Sequence, residues 1–136
     1  MTGTLQLRLV LHADDLDGAL ALFRDALGMP AELDLTTPTD DGDARVVVLE
    51  AGRATLELVN TPQRDLIDEL EVGRPVSREM RVALEVDDAA AATDAALAGG
   101  AVEVAPPTRT PWGSLNARLE TPLGVQLTLF TQVEPE

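Results

Sequence analysis

The chain has no cysteine and no tyrosine among its 136 residues, and all ten of its basic residues are arginine, so lysine is missing too. Without cysteine there is no disulfide framework, no thiolate nucleophile and no thiolate metal ligand. Without lysine and tyrosine, Schiff-base catalysis and phenolic acid or base roles are excluded. Aromatic content is 2 %, one tryptophan and two phenylalanines, which is sparse for an extended stacking groove. Positive charge is scarce as well: 10 basic against 24 acidic side chains give a net charge of −14, a field that repels phosphate backbones and anionic lipid. Nucleic acid and membranes are therefore not expected partners. No apolar run approaches the roughly 18 residues of a membrane helix, and the first residues lack the basic and apolar stretches of a leader, so a cytoplasmic location is expected.

What is present is one unit written twice. Arg8 to Asp15 reads RLVLHADD, and Arg81 to Asp88 reads RVALEVDD. Both segments alternate as strands do: Leu7, Leu9 and Leu11 oppose Arg8, Val10 and His12, while Val82, Leu84 and Val86 oppose Arg81, Ala83 and Glu85. Asp14 or Asp15 is a suitable cap for a helix in which Leu16, Ala19, Leu20, Phe23, Ala26 and Leu27 form one face before Gly28 and Pro30 stop it. Asp87 or Asp88 plays the same part for an alanine-rich helix closed by Gly99 and Gly100. Strand-like runs come next at 31–36, 44–50 and 54–60, and again at 102–105, 114–120 and 125–131. The expected fold is α+β in a single domain: two βαβββ units (4–60 and 79–131) forming curved mixed sheets around a pocket, with helices on the outer faces. Residues 61–78, with an acidic helix-like stretch from Asp65 to Glu71, read as a connector, and 132–136 as a tail.

Two βαβββ units in this order, with ADDLDGALALFRDALGMP after the first strand, GRATLELVN as fourth strand and TPWGSLNARLETPLGVQLTLF as closing hairpin, resemble the vicinal-oxygen-chelate superfamily. That family contains glyoxalases, bleomycin resistance proteins and extradiol dioxygenases. The resemblance covers residues 4 to 131 and implies a pocket on the non-helix faces of the sheet and a homodimer. In metal-dependent members it implies four ligand positions, which fall here on Arg8, Glu57, Arg81 and Thr128. Guanidinium offers no lone pair, and a threonine hydroxyl is a poor divalent-metal ligand. A divalent ion about 4 Å from one arginine would be opposed by roughly 8 kcal/mol at an effective dielectric near 20. The expectation is thus a site with no metal and no cofactor, in which Glu57 pairs with Arg8 or Arg81.

Strand alternation puts further polar residues on the pocket face, and the candidate ligand-binding set is Arg8, His12, Glu57, Arg81, Glu85, Trp112, Asn116, Arg118 and Thr128. His12 and Glu57 are the candidates for moving a proton. Trp112, in the loop Thr110-Pro111-Trp112-Gly113, either caps the core edge or stacks on a ligand. The first reading is a metal-independent protein of the bleomycin-resistance type that binds a small molecule. The alternative is a lyase or isomerase of the same superfamily acting on a small anionic or carbonyl substrate, with the arginines holding oxygen atoms. An interaction module with a self-filled pocket is the third.

Overall fold

The computed structural model describes residues 3–122 and 124–134. The chain runs β1 (Thr4–His12), α1 (Leu16–Leu20), β2 (Ala31–Thr39), β3 (Gly42–Ala51), β4 (Ala54–Val59), α2 (Thr61–Glu71), β5 (Met80–Val86), α3 (Ala89–Ala98), β6 (Val102–Arg109), β7 (Ser114–Glu120) and β8 (Gln126–Gln132). These eight strands join one mixed sheet in the order β2-β3-β4-β1-β5-β8-β7-β6. Within each unit the first and last strands pair in parallel, β1 with β4 and β5 with β8. The two units meet through the antiparallel pair β1 and β5, where the duplicated segments lie side by side. No helix among the described residues is long and apolar enough to cross a membrane.

Alternation decides which side of the sheet each residue serves. On the outer side Leu16 and Leu20 of α1 pack on Val47, Leu49, Leu56 and Leu58, joined by Leu9 and Leu11. In the second unit Ala89 and Ala92 of α3 pack on Leu119 and Leu129, the small side chains letting the helix lie close to the sheet. On the inner side Val10, Val46, Val48, Val59, Ala83 and Phe130 form a separate apolar floor. The caps are the expected aspartates: Asp15 accepts from the Gly18 amide and Asp88 from the Ala91 amide.

Three departures have physical causes. Beyond Leu20 the first helix widens into π-helical turns over Ala21–Ala26, with the Leu27 amide donating back to the Leu22 carbonyl. The wider turn rotates the end of the helix, so Leu27, expected on the buried stripe, is exposed. Strand β6 continues through Pro106 and Pro107, where the sequence pattern ended it, because it is an edge strand and its register slips around the prolines. The third departure matters most for the site.

The connector is not a bystander. α2 starts at Thr61, earlier than its acidic stretch indicates, because the Asn60 side chain caps the Gln63 amide and Pro62 sits in the first turn. It lies over the inner face, while α1 and α3 take the outer one as expected. Ile67 is its main apolar anchor, but Asp68 and Glu71 are buried too. Both face Arg118 of β7, a side chain with 0 % exposure. One Arg118 nitrogen donates to Asp68 Oδ1 at 3.2 Å and the other to Glu71 Oε1 at 2.9 Å. Asp68 also accepts from the Val76 and Ser77 amides and from the Ser77 hydroxyl. Burial pushes its carboxyl upward, but those hydrogen bonds and the Arg118 charge outweigh it and leave Asp68 below the usual carboxylate value.

Removing the cation would strand two buried carboxylates. The variant Arg118→Met is expected to lose about 3 to 5 kcal/mol of stability, read as a lower midpoint in urea denaturation. Retention of the parent midpoint would show that α2 is held by its apolar contacts alone.

Candidate functional site

The four positions singled out by the family resemblance form a compact array on the inner face. Val10 of β1 pairs with Glu57 on one side and with Arg81 on the other. One row along, Arg8 lies between Thr55 and Ala83, and Ala83 pairs in turn with Thr128. Glu57 and Arg81 are thus two strand spacings apart at the backbone, about 10 Å, and long side chains can converge on the space above Val10. The β1–β5 pairing relates Arg8 to Arg81 and Glu57 to Thr128, so an acid in one unit answers a hydroxyl in the other.

That inequality gives the two arginines different lives. Arg8 donates to Thr55 Oγ1 at 3.1 Å, Glu57 Oε1 at 3.4 Å and Gln6 Oε1 at 3.2 Å, with Glu32 at 3.6 Å. Its guanidinium also lies over the Phe130 ring, 5.3 Å from the centroid. Arg81 has one bond, from Nε to Thr128 Oγ1 at 3.0 Å, and its two terminal nitrogens have no partner among the described residues. Burial first, and then the charge of Arg118, push the Arg81 pKa below its ordinary value, while Glu71, Glu57 and Asp68 act in the opposite sense. A guanidinium does not give up its proton in response. It remains a partly exposed cation on the cavity wall with donors to spare. Glu57 is its complement, since only Oε1 is engaged and Oε2 has no partner among the described residues.

Both groups open into a cavity of about 340 Å³ lined by both halves of the one chain. Of the residues expected there, Arg8, Glu57, Arg81, Trp112, Asn116 and Thr128 line it. His12, Glu85 and Arg118 do not. His12 is a correction to its candidacy for proton transfer: its side chain is 5 % exposed, with one ring nitrogen 2.8 Å from Glu79 and the other 2.8 Å from Thr61. It ties the end of β1 to the start of α2. Glu85 lies half-buried outside the cavity, and Arg118 is sealed beneath α2 by Asp68 and Glu71. Asn116 lines the wall but donates to Glu71 Oε2 at 2.9 Å, which leaves both Glu71 oxygens occupied.

Sequence reasoning missed one whole wall, formed by Gln63, Leu66, Ile67 and Glu71 of α2. The Asn60 cap and Pro62 mark where the helix begins, four residues before the helix-like stretch expected from Asp65 to Glu71. It also missed Leu33 and Leu35 of β2, which face the cavity from the edge of the sheet.

With that geometry in view, comparison with known proteins decides the lineage. Residues 6–129 match the model of the Glyoxalase/Bleomycin resistance protein/Dioxygenase superfamily. The chain belongs to this superfamily. No curated protein matches it in sequence. Among solved structures it is similar to a Vibrio splendidus glyoxalase/bleomycin resistance protein/dioxygenase superfamily member, with 13 % identity, 96 % and 100 % of the two chains covered and a TM-score of 0.59. It is also similar to Streptomyces coelicolor methylmalonyl-CoA epimerase in complex with 2-nitronate-propionyl-CoA, at 18 % identity, 98 % and 100 % coverage and a TM-score of 0.67. Methylmalonyl-CoA epimerase from Mycobacterium tuberculosis matches at 20 % identity, 97 % and 89 % coverage and a TM-score of 0.62.

Many members of the superfamily hold a divalent metal, and the residues of this chain do not fit one. Two of the four positions are guanidinium groups, and the single carboxylate, Glu57, is ion-paired to one of them. Among the described residues no three His, Cys, Asp or Glu side chains gather as a metal site would require. Elemental analysis of protein expressed in metal-supplemented medium is expected to find no stoichiometric zinc, nickel, manganese or iron. One such ion per chain, lost on Glu57→Ala, would refute this reading of the array.

Proposed function

We propose that this superfamily member is a metal-independent proton-transfer enzyme, an isomerase or lyase acting on a small anionic carbonyl compound. One observation carries the reading: across Val10 stand a guanidinium with free donors, Arg81, and a carboxylate with a free acceptor, Glu57 Oε2. In the step proposed, Glu57 takes the proton from the carbon beside the carbonyl, and the C–H electron pair becomes the new carbon–carbon double bond. The carbonyl oxygen takes the negative charge and is held by the terminal nitrogens of Arg81. Delivery of the proton from Glu57 to a different carbon of the delocalised anion completes an isomerisation, and departure of a leaving group completes a lyase reaction. Arg8 fixes Glu57 Oε1, so that Oε2 is the oxygen left to react. Arg81 fills the electrophilic role that a metal ion fills elsewhere in the family, with Thr128 orienting it through Nε. The fold-level likeness to epimerases caught with a methylmalonyl thioester or a nitronate analogue supports this choice of chemistry.

The second reading, a ligand-binding protein of the bleomycin-resistance type, rests on aromatic stacking and is less well supported. Phe130 is covered by Arg8, which leaves Trp112 as the one aromatic face toward the cavity among the described residues. Incubation in heavy water with pyruvate, phenylpyruvate or acetoacetate, followed by proton NMR, separates the two. Enzyme-dependent exchange beside the carbonyl is expected with at least one of them, falling by roughly 100- to 10,000-fold in Glu57→Gln. Exchange no faster than in buffer, or equal rates in the folded variant, would leave ligand binding as the better account.

A further inference from the structure

The cavity carries information about the rest of the substrate, beyond its reacting end. Beside Arg81 and Glu57, and among polar neighbours such as Glu32 and Gln63, the cavity wall carries apolar side chains: Leu33 and Leu35 of β2, Leu66 and Ile67 of α2, and Trp112. Leu33, Leu35 and Trp112 are 45 %, 41 % and 40 % exposed, well above the interior leucines of this chain, so they present apolar surface with nothing from the described chain upon it. A cavity of about 340 Å³ lies at the small end of ligand sites, which span roughly 300 to 1,000 Å³.

Just as informative is the surround of the mouth. Among the described residues the only cations lining the cavity are Arg8 and Arg81, and Arg8 is already committed to Glu57, Gln6 and Thr55. Elsewhere Arg24, Arg45, Arg64 and Arg78 are paired with Asp25, Asp34, Glu79 and Glu120. Arg74 borders a separate depression shared with Asp40, Asp41, Asp65 and Glu69. Glu32 stands on the cavity wall itself, on a chain of net charge −14. Among the described residues the cavity wall therefore offers a phosphate-bearing handle no arginine beyond Arg8 and Arg81.

Resting on the proton-transfer reading, we infer that the substrate is a compact amphipathic monoanion: a free carboxylate or keto acid with a short apolar tail, and not a nucleotide thioester. Arg81 receives the anionic oxygen, and Leu33, Leu35, Leu66 and Trp112 receive the tail. The class of compound bound by the epimerases that share this fold does not carry over, because among the described residues the cavity wall has no arginine besides Arg8 and Arg81 to seat its phosphates.

Calorimetry on the full chain with four probes tests this without requiring turnover. The probes are 3-phenylpropanoate, propanoate, 3-phenylpropanamide and 3-phenylpropanoyl-CoA. Binding of 3-phenylpropanoate is expected to be at least about tenfold tighter than that of the amide, which lacks the charge, and than that of propanoate, which lacks the tail. The CoA thioester is expected to bind at least about tenfold more weakly than the free acid. Arg81→Met should weaken 3-phenylpropanoate about tenfold or more. Trp112→Ala should weaken 3-phenylpropanoate by a few-fold and leave propanoate unchanged. A thioester that binds as tightly as the free acid, or a free acid with no Arg81-dependent binding at millimolar concentration, would overturn the inference. If the probes rank as expected but no exchange is found in heavy water, the catalytic reading fails and this one stands. If exchange depends on Glu57 while the thioester is preferred, the reverse holds.

Discussion

The buried Arg118 is the contact on which the shape of the site depends. A helix rich in acids has limited apolar surface to offer a sheet, and beside Ile67 the buried residues of α2 are Gln63, Asp68 and Glu71. Arg118 presents both terminal nitrogens to Asp68 and Glu71, while Ser77 and the Val76 amide finish the carboxylate's shell. Such a group of ions gains little net stability over a well-packed apolar equivalent, yet losing one member is costly. Its effect is one of placement: with the helix held there, Leu66 and Ile67 become a wall and the inner face of the sheet gains a cavity.

Within that pocket, a chain built from two similar units becomes asymmetric. Arg8 and Arg81 occupy equivalent places, but the first unit supplies Glu57 where the second supplies Thr128. Arg8 therefore finds a counter-charge and becomes part of the frame. Arg81 finds a hydroxyl, which orients it without neutralising it. The same site has the sealed ion pairs of Arg118 behind it, and Arg118 adds to the difficulty of keeping Arg81 charged out of water. An incoming anion can pair with the terminal nitrogens that Arg81 leaves unengaged on the cavity wall, and this geometry is the physical ground for the proposed oxyanion receptor.

Much of this was legible in the sequence. Strict alternation in β1, β4, β5 and β8 put Arg8, Glu57, Arg81 and Thr128 on one face, because strand periodicity is a local property, and the family resemblance put them at matching positions. Local reasoning fails where a side chain's role is decided by a distant segment. His12 obeys the alternation and still leaves the cavity, since Thr61 and Glu79 capture its ring. Arg118 obeys it and is sealed by the connector. A helix-like stretch was legible in that connector, and Asn60 and Pro62 mark its start, but nothing nearby says on which side of the sheet the helix will lie.

Everything proposed for the site turns on Arg81, and neither Arg8 nor Arg118, being the guanidinium free to take an anion. Nitrogen-15 NMR of arginine-labelled protein follows each Nε–H group separately, with signals assigned through Arg8→Gln and Arg81→Gln; for Arg118, the Arg118→Met spectrum serves. During an acetate titration the Arg81 signal is predicted to move with saturation while those of Arg8 and Arg118 hold their positions. Movement of the Arg8 signal with Arg81 unchanged, or no saturable movement at any of the three, would contradict it.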